Sequence, residues 1–133
     1  MSNNDVKKEI ESVLESMAES FVEKDPDKYL NLYEDHPELV IYGSQKGEKW
    51  TKLSDFRESV IKNWIMVESV QVKYSWKRID FNPKGDIAWF ATELSFITKF
   101  NGQEMNIAGR LTGVLVKKSD VWKFVQTHYS MEH

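Results

Sequence analysis

Near Val70 the spacing of apolar residues changes from a helical period to a strand period, and this switch most restricts the folds open to the chain. Before it, Val6, Ile10, Val13, Leu14, Met17, Phe21 and Val22 recur at steps of three, four and one, striping one face of a long helix. After it, alternating residues are punctuated by turn signals. Asn101-Gly102, flanked by alternation on both sides, is the strongest hairpin signal in the chain. Asn82-Pro83-Lys84-Gly85 supplies a second turn, with proline presetting one dihedral and glycine permitting a positive one. Lys117 to Asp120 makes the last reversal. Helices first and a strand meander afterwards predict an α+β fold, with the helices packed on one face of a mixed or antiparallel sheet.

The helical half divides at Asp25-Pro26, where the aspartate can cap orphan N–H groups and proline suits a first helical turn. Tyr29, Leu30, Leu32 and Tyr33 continue it as a short second helix, closed at His36-Pro37. Thr51 is read as the cap of a third helix that buries Leu53, Phe56, Val60, Trp64 and Val67, and Gly43 to Gly47 as an exposed loop. The predicted helices span 4–24, 26–34 and 51–67, and the strands 38–43, 69–82, 86–100, 103–117 and 121–131, in one domain over 1–133.

Composition narrows the function classes. A net charge of −3 with acids and bases interspersed offers no basic field for nucleic acid. No apolar run is long enough for a bilayer, the first residues lack the apolar core of a secretory signal, and nothing marks a membrane surface. Cysteine is absent, so disulfides, thiolate metal sites and thiol nucleophiles are excluded, and a cytoplasmic setting is expected. His36, His128 and His133 show no metal-ligand spacing, and neither a phosphate-binding glycine loop nor a serine elbow is present, so no cofactor is expected.

The turns set an expected register. Pairing Phe100 with Gln103 puts Glu93 opposite Arg110, Ala91 opposite Thr112 and Trp89 opposite Val114. Pairing Val116 with Trp122 puts Arg110 opposite His128 and Thr112 opposite Gln126; a count through the proline turn puts Tyr74 beside Glu93 and Trp76 beside Ala91. Glu93, Arg110 and His128 then form a polar row on one sheet face, while Phe90, Leu94, Phe96, Leu111, Leu115, Val125 and Tyr129 occupy the other. Both faces carry large apolar side chains, so two covers are needed: the helices for one, and a second copy of the chain for the other. A homodimer is expected.

These elements, with the closing run Gly109-Arg110-Leu111-Thr112-Gly113-Val114-Leu115-Val116 and then Trp122-Lys123-Phe124-Val125-Gln126-Thr127-His128-Tyr129-Ser130, resemble the nuclear transport factor 2 superfamily. Within it the chain is similar to SnoaL-like, or ketosteroid-isomerase-like, domains; Asp86-Ile87-Ala88-Trp89 belongs to the same pattern. The resemblance implies a cone, in which a strongly curved sheet wraps around three N-terminal helices and leaves a cavity at its open end. In such a cone Tyr42, Trp50, Trp64, Trp76 and Trp89 would line apolar walls. Glu93, Arg110 and His128 would supply polar groups to orient a small hydrophobic or flat ligand, with Tyr74, Thr112 and Gln126 beside them. Ketosteroid isomerases use a tyrosine and an aspartate at positions where this chain has Met17 and Tyr42, so that particular reaction is not expected.

Three functional classes stay open. In a small-molecule binding protein the aromatic cavity does the work, with Trp89 and Trp122 alternatively plain core residues. In a cofactor-independent isomerase or lyase, His128 or Glu93 would remove a proton and Arg110 would stabilise negative charge. Against that stands a structural role, His128 bonding across strands and Glu93 pairing with Arg110. The third class is a dimerisation module without catalysis.

Overall fold

The computed structural model describes residues 3–132, which leaves His133 outside the described residues. Helix α1 (Asn3–Glu23) buries the stripe of Val6, Ile10, Leu14, Met17 and Phe21 against the sheet. Lys24 ends it in a left-handed conformation, and its ammonium reaches across to donate to the Val67 carbonyl at 2.7 Å and the Trp64 carbonyl at 3.3 Å. Those carbonyls belong to the C-terminal end of α3 (Leu53–Ile65) and the residues after it, where a positive charge complements the helix dipole. Helix α2 (Pro26–Leu30) is capped by Asp25, whose carboxylate accepts the Lys28 N–H at 3.1 Å. It stops short of the expected 34, because Tyr33 leaves the helix to bridge Phe124. Helix α3 is entered from Lys52 without any side-chain cap, so the cap expected of Thr51 does not form.

Six strands follow the order β2-β1-β6-β5-β4-β3. They are β1 (Val40–Tyr42), β2 (Lys49–Trp50), β3 (Ser69–Phe81), β4 (Ile87–Phe100), β5 (Gln103–Lys118) and β6 (Val121–Met131). β1 runs parallel to β6 and every other pairing is antiparallel, giving a curved, unclosed mixed sheet. The two-residue strand β2 follows the expected Gly43 to Gly47 loop and has no counterpart among the expected elements; pairing with β1 folds residues 43–48 back as a hairpin.

The long strands alternate between a buried inner face, packed on the helices, and an exposed outer face. Phe90, Leu94, Phe96, Leu111, Leu115 and Tyr129 lie inside. Gly109 and Gly113 make this close packing possible: a Cβ on Gly113 would stand 2.6 Å from the Gln126 carbonyl oxygen and 2.8 Å from the Phe90 ring. Two further ties hold α1 to the sheet. Glu9 accepts from the Trp122 indole at 3.0 Å and the Lys117 ammonium at 3.2 Å, and the Tyr74 hydroxyl donates to the Leu14 carbonyl at 3.1 Å.

Bulges correct the expected register in two places. The Asn101-Gly102 turn, with φ of 51° and 77°, pairs Phe100 with Gln103 and sets Glu93 opposite Arg110. The last hairpin instead turns on Ser119-Asp120, both at positive φ, and pairs Lys117 with Trp122, one position from the expected pairing. A bulge at Val125 adds a second position, so Arg110 faces Ser130, Thr112 faces His128, and Val114 faces Gln126. The two shifts add to an even number, which keeps His128 on the face of Arg110 but moves it along. Across β3 and β4 the bulge at Ser75 has the opposite effect. Trp76 pairs with Glu93 on the outer face, while Tyr74 pairs with Leu94 and turns inward.

Candidate functional site

A pocket of about 310 Å³ opens between α3, the hairpin of β1 and β2, and the inner face of the sheet. Its walls are aromatic: Trp50 packs on Phe56 with ring centroids 5.1 Å apart, and Trp64 on Phe21 at 5.2 Å. Phe96 and Tyr129 close it from the sheet, 5.7 Å from each other. Helix periodicity puts Phe56, Ser59, Asn63 and Trp64 on one stripe of α3, so a hydroxyl and an amide meet the pocket among apolar neighbours. The β1–β2 hairpin contributes Ser44, Gln45 and Glu48 at the opposite rim.

Beneath the pocket lies a chain of buried hydroxyls. Tyr29 and Tyr129 are 2.8 Å apart, Tyr29 and Tyr33 3.3 Å, and Tyr33 reaches the Thr127 hydroxyl at 2.9 Å. The Tyr129 hydroxyl also lies 3.6 Å from the Met17 sulfur, to which it donates a weak bond. Burial is the largest cause that pushes these phenols up: Tyr33 to about 12, and Tyr29 and Tyr129 well above the ordinary tyrosine value. Tyr74 is raised as well, again chiefly by burial. The phenols therefore stay protonated and serve as hydrogen-bond donors, not as bases. Among the described residues no buried side-chain nitrogen or oxygen lacks a partner, so the network is fully satisfied.

The structure separates the residues singled out in the sequence into three groups: pocket, core and outer sheet face. Trp50 and Trp64 line the pocket. Tyr74 packs against the core and α1. The polar row does not line it: Glu93, Arg110 and His128 stand exposed on the outer sheet face, with Thr112 and Gln126 on the same face. The same holds for Tyr42, Trp76 and Trp89, which are 42%, 48% and 46% exposed. The reason is strand alternation: residues paired with these positions all belong to the outer set, and the helices cover only the inner one. Trp122, by contrast, is core. Tyr42 packs on the His128 ring at a centroid distance of 5.2 Å. Glu93 and Arg110 are direct cross-strand neighbours, yet no ion pair joins them among the described residues. With Ser75 and Ser130 they border a depression of about 250 Å³ on that face.

Sequence reasoning missed Glu48, Ser59 and Asn63. For the two α3 residues a signal existed, since polar groups at i+3 and i+7 from Phe56 interrupt an apolar stripe, as a pocket wall requires and a packed core does not. Glu48 carried none, because its place depends on a two-residue strand. Among the described residues no group of three or more histidine, aspartate or glutamate side chains could hold a metal ion, and no helix is long and apolar enough to cross a membrane.

Comparison with known proteins agrees with this geometry. The family model described as "SnoaL-like domain" matches residues 10–132. A nuclear transport factor 2 (NTF2-like) superfamily protein from Salmonella enterica superposes with a TM-score of 0.85 at 20% identity, covering 99% of this chain and 94% of that one. A protein of the NTF2-like family from Streptomyces avermitilis, provisionally named a dehydratase, gives 0.85 at 12% identity over 98% and 99%. An NTF2-like protein of unknown function from Pseudomonas putida gives 0.82 at 14% over 98% and 88%. No curated protein matches the sequence significantly. At these identities the likeness to the solved structures shows the fold alone.

Proposed function

This chain belongs to the SnoaL-like domain family, and on that footing we propose that it binds a compact, flat, largely apolar small molecule in the pocket beside α3. The observation that carries the reading is the composition of the walls: an open pocket of about 310 Å³ walled by edge-to-face and tilted aromatics and furnished with a few amide, hydroxyl and carboxylate groups. Such a volume lies at the small end of ligand sites, which suits one or two fused rings. The test is a thermal-shift screen of flat mono- and bicyclic compounds on the wild type and on Ser59→Trp. The new indole projects from α3 into the pocket. A compound that stabilises the wild type is expected to lose its effect on the variant, while the unliganded variant keeps its fold by circular dichroism. An unchanged shift on the variant contradicts the reading.

We further propose that a second copy covers the outer sheet face. Trp76, Trp89, Tyr42 and Ile87, each more than 40% exposed, share that face. Leaving so much apolar surface in water is costly, and a two-fold partner would present the same patch in return. Catalysis by the outer row is the competing reading: Glu93 or His128 as base and Arg110 as anion stabiliser, with the substrate seated in the depression that Glu93 and Arg110 border and His128 does not. A second copy on this face would fill that depression, so the two readings exclude each other. The half-exposed tryptophans favour the partner chain.

A further inference from the structure

The pocket has an electrostatic sign, and from it we infer that the preferred ligand is a flat organic cation whose ammonium sits against Glu48, with its ring between the aromatic walls. This rests on the proposed binding function and names the ligand class for the same pocket. Among the described residues Glu48 is the one charged side chain lining it, with no lysine, arginine or histidine beside it. The tyrosines beneath stay neutral, so they do not offset that charge.

The carboxylate is placed by its hairpin rather than left to swing in solvent. The Gly43 N–H donates to the Glu48 carbonyl at 2.9 Å, which closes the hairpin. The Gln45 N–H donates to Glu48 Oε1 at 2.8 Å, which fixes the side chain over residue 43. Glycine leaves room for this placement, since a Cβ on Gly43 would stand 2.5 Å from that same oxygen and 2.8 Å from the Glu48 Cβ and would displace the carboxylate. Only one of the two carboxylate oxygens carries this bond, and the other is available to a ligand. Across the pocket stand the aromatic side chains of Trp50, Phe56 and Trp64, whose π systems attract positive charge. An anionic ligand would meet the same carboxylate with no counter-charge in the lining and would be disfavoured.

The experiment uses three probes with one flat body and different heads: 1-naphthylmethylammonium, 1-naphthalenemethanol and 1-naphthoate, titrated by calorimetry against the wild type and Glu48→Gln. Glutamine keeps an acceptor oxygen for the Gln45 N–H while removing the charge. For a part-exposed carboxylate assisted by aromatic faces, the ammonium is expected to bind roughly five- to tenfold tighter than the alcohol. Naphthoate should bind weakest of the three. Glu48→Gln should reduce the ammonium's preference over the alcohol to within about twofold. If the alcohol binds but the ammonium has no advantage, or if Glu48→Gln preserves that advantage, the inference is overturned and the pocket reading stands. If none of the three binds, and the pocket-filling Ser59→Trp variant behaves as the wild type throughout, the pocket reading falls and takes the inference with it.

Discussion

Replacing Trp89 with alanine should dissociate the proposed dimer without unfolding the chain. A tryptophan presents up to ~250 Å². At 46% exposure, roughly 115 Å² of Trp89 therefore lies in water on the outer face of the monomer. Burying that area against a partner stabilises by about 3 kcal/mol at ~25 cal/mol per Å². Two-fold symmetry counts the loss twice, about 5 to 6 kcal/mol, which corresponds to roughly four orders of magnitude in the dimer dissociation constant. The monomer should survive, because Trp89 is outside the core cluster, and losing the part of its surface that packs within the monomer costs about 3 kcal/mol by the same coefficient, less than the roughly 5–15 kcal/mol typical of a folded domain. Sedimentation velocity over a concentration series, from about 0.1 to 100 µM, reads the outcome beside far-UV circular dichroism. The wild type is expected as a dimer throughout and Trp89→Ala as a folded monomer; Trp76→Ala, at 48% exposure, should act alike. A monomeric wild type, or a variant dimer as tight as the wild type, refutes the assignment of the interface to this face.

Other outcomes follow from the packing. Gly113→Ala must push a Cβ against the Gln126 carbonyl and the Phe90 ring, both held in paired strands. Such overpacking costs about 1–3 kcal/mol, and chemical denaturation should show the midpoint falling accordingly. Stability should also decline at high pH. The folded-state values of Tyr29, Tyr33, Tyr74 and Tyr129 are raised, so their contribution is fully present below the unfolded tyrosine value near 10 and is lost as pH rises toward the folded values, about 12 for Tyr33. Above pH 10 each such group costs roughly 1.4 kcal/mol per pH unit, measurable by urea titration with tyrosinate absorbance as the probe. Ionisation of these phenols before the loss of near-UV ellipticity would contradict their burial.

Local signals carried much of the architecture. The 3.6-residue stripe from Val6 to Phe21 and the Asn101-Gly102 turn each depend on neighbouring residues alone, and the structure has α1 and the β4–β5 register where those residues point. The site was less legible, because it depends on features without local marks. A bulge at Ser75 turns Tyr74 inward, and the turn at Ser119-Asp120 lacks the glycine that announces such geometry. The decisive misreading concerned faces. Glu93, Arg110 and His128 were grouped on one face correctly, but periodicity alone does not say which of two apolar faces the helices cover. Only the packing of α1 on Leu94, Leu111 and their neighbours decides it. The hydroxyl chain joins residues as far apart as Tyr29 and Tyr129, a proximity no sequence window contains.

The most direct test of the pocket is a two-dimensional amide and indole NMR titration with 1-naphthalenemethanol, which depends on neither charge nor catalysis. Shifts are expected to concentrate at Gln45, Glu48, Trp50, Ser59, Asn63 and Trp64, with the outer row unmoved. Shifts centred instead on Glu93, Arg110 and Ser130 would place binding on the opposite face of the sheet and contradict the assignment.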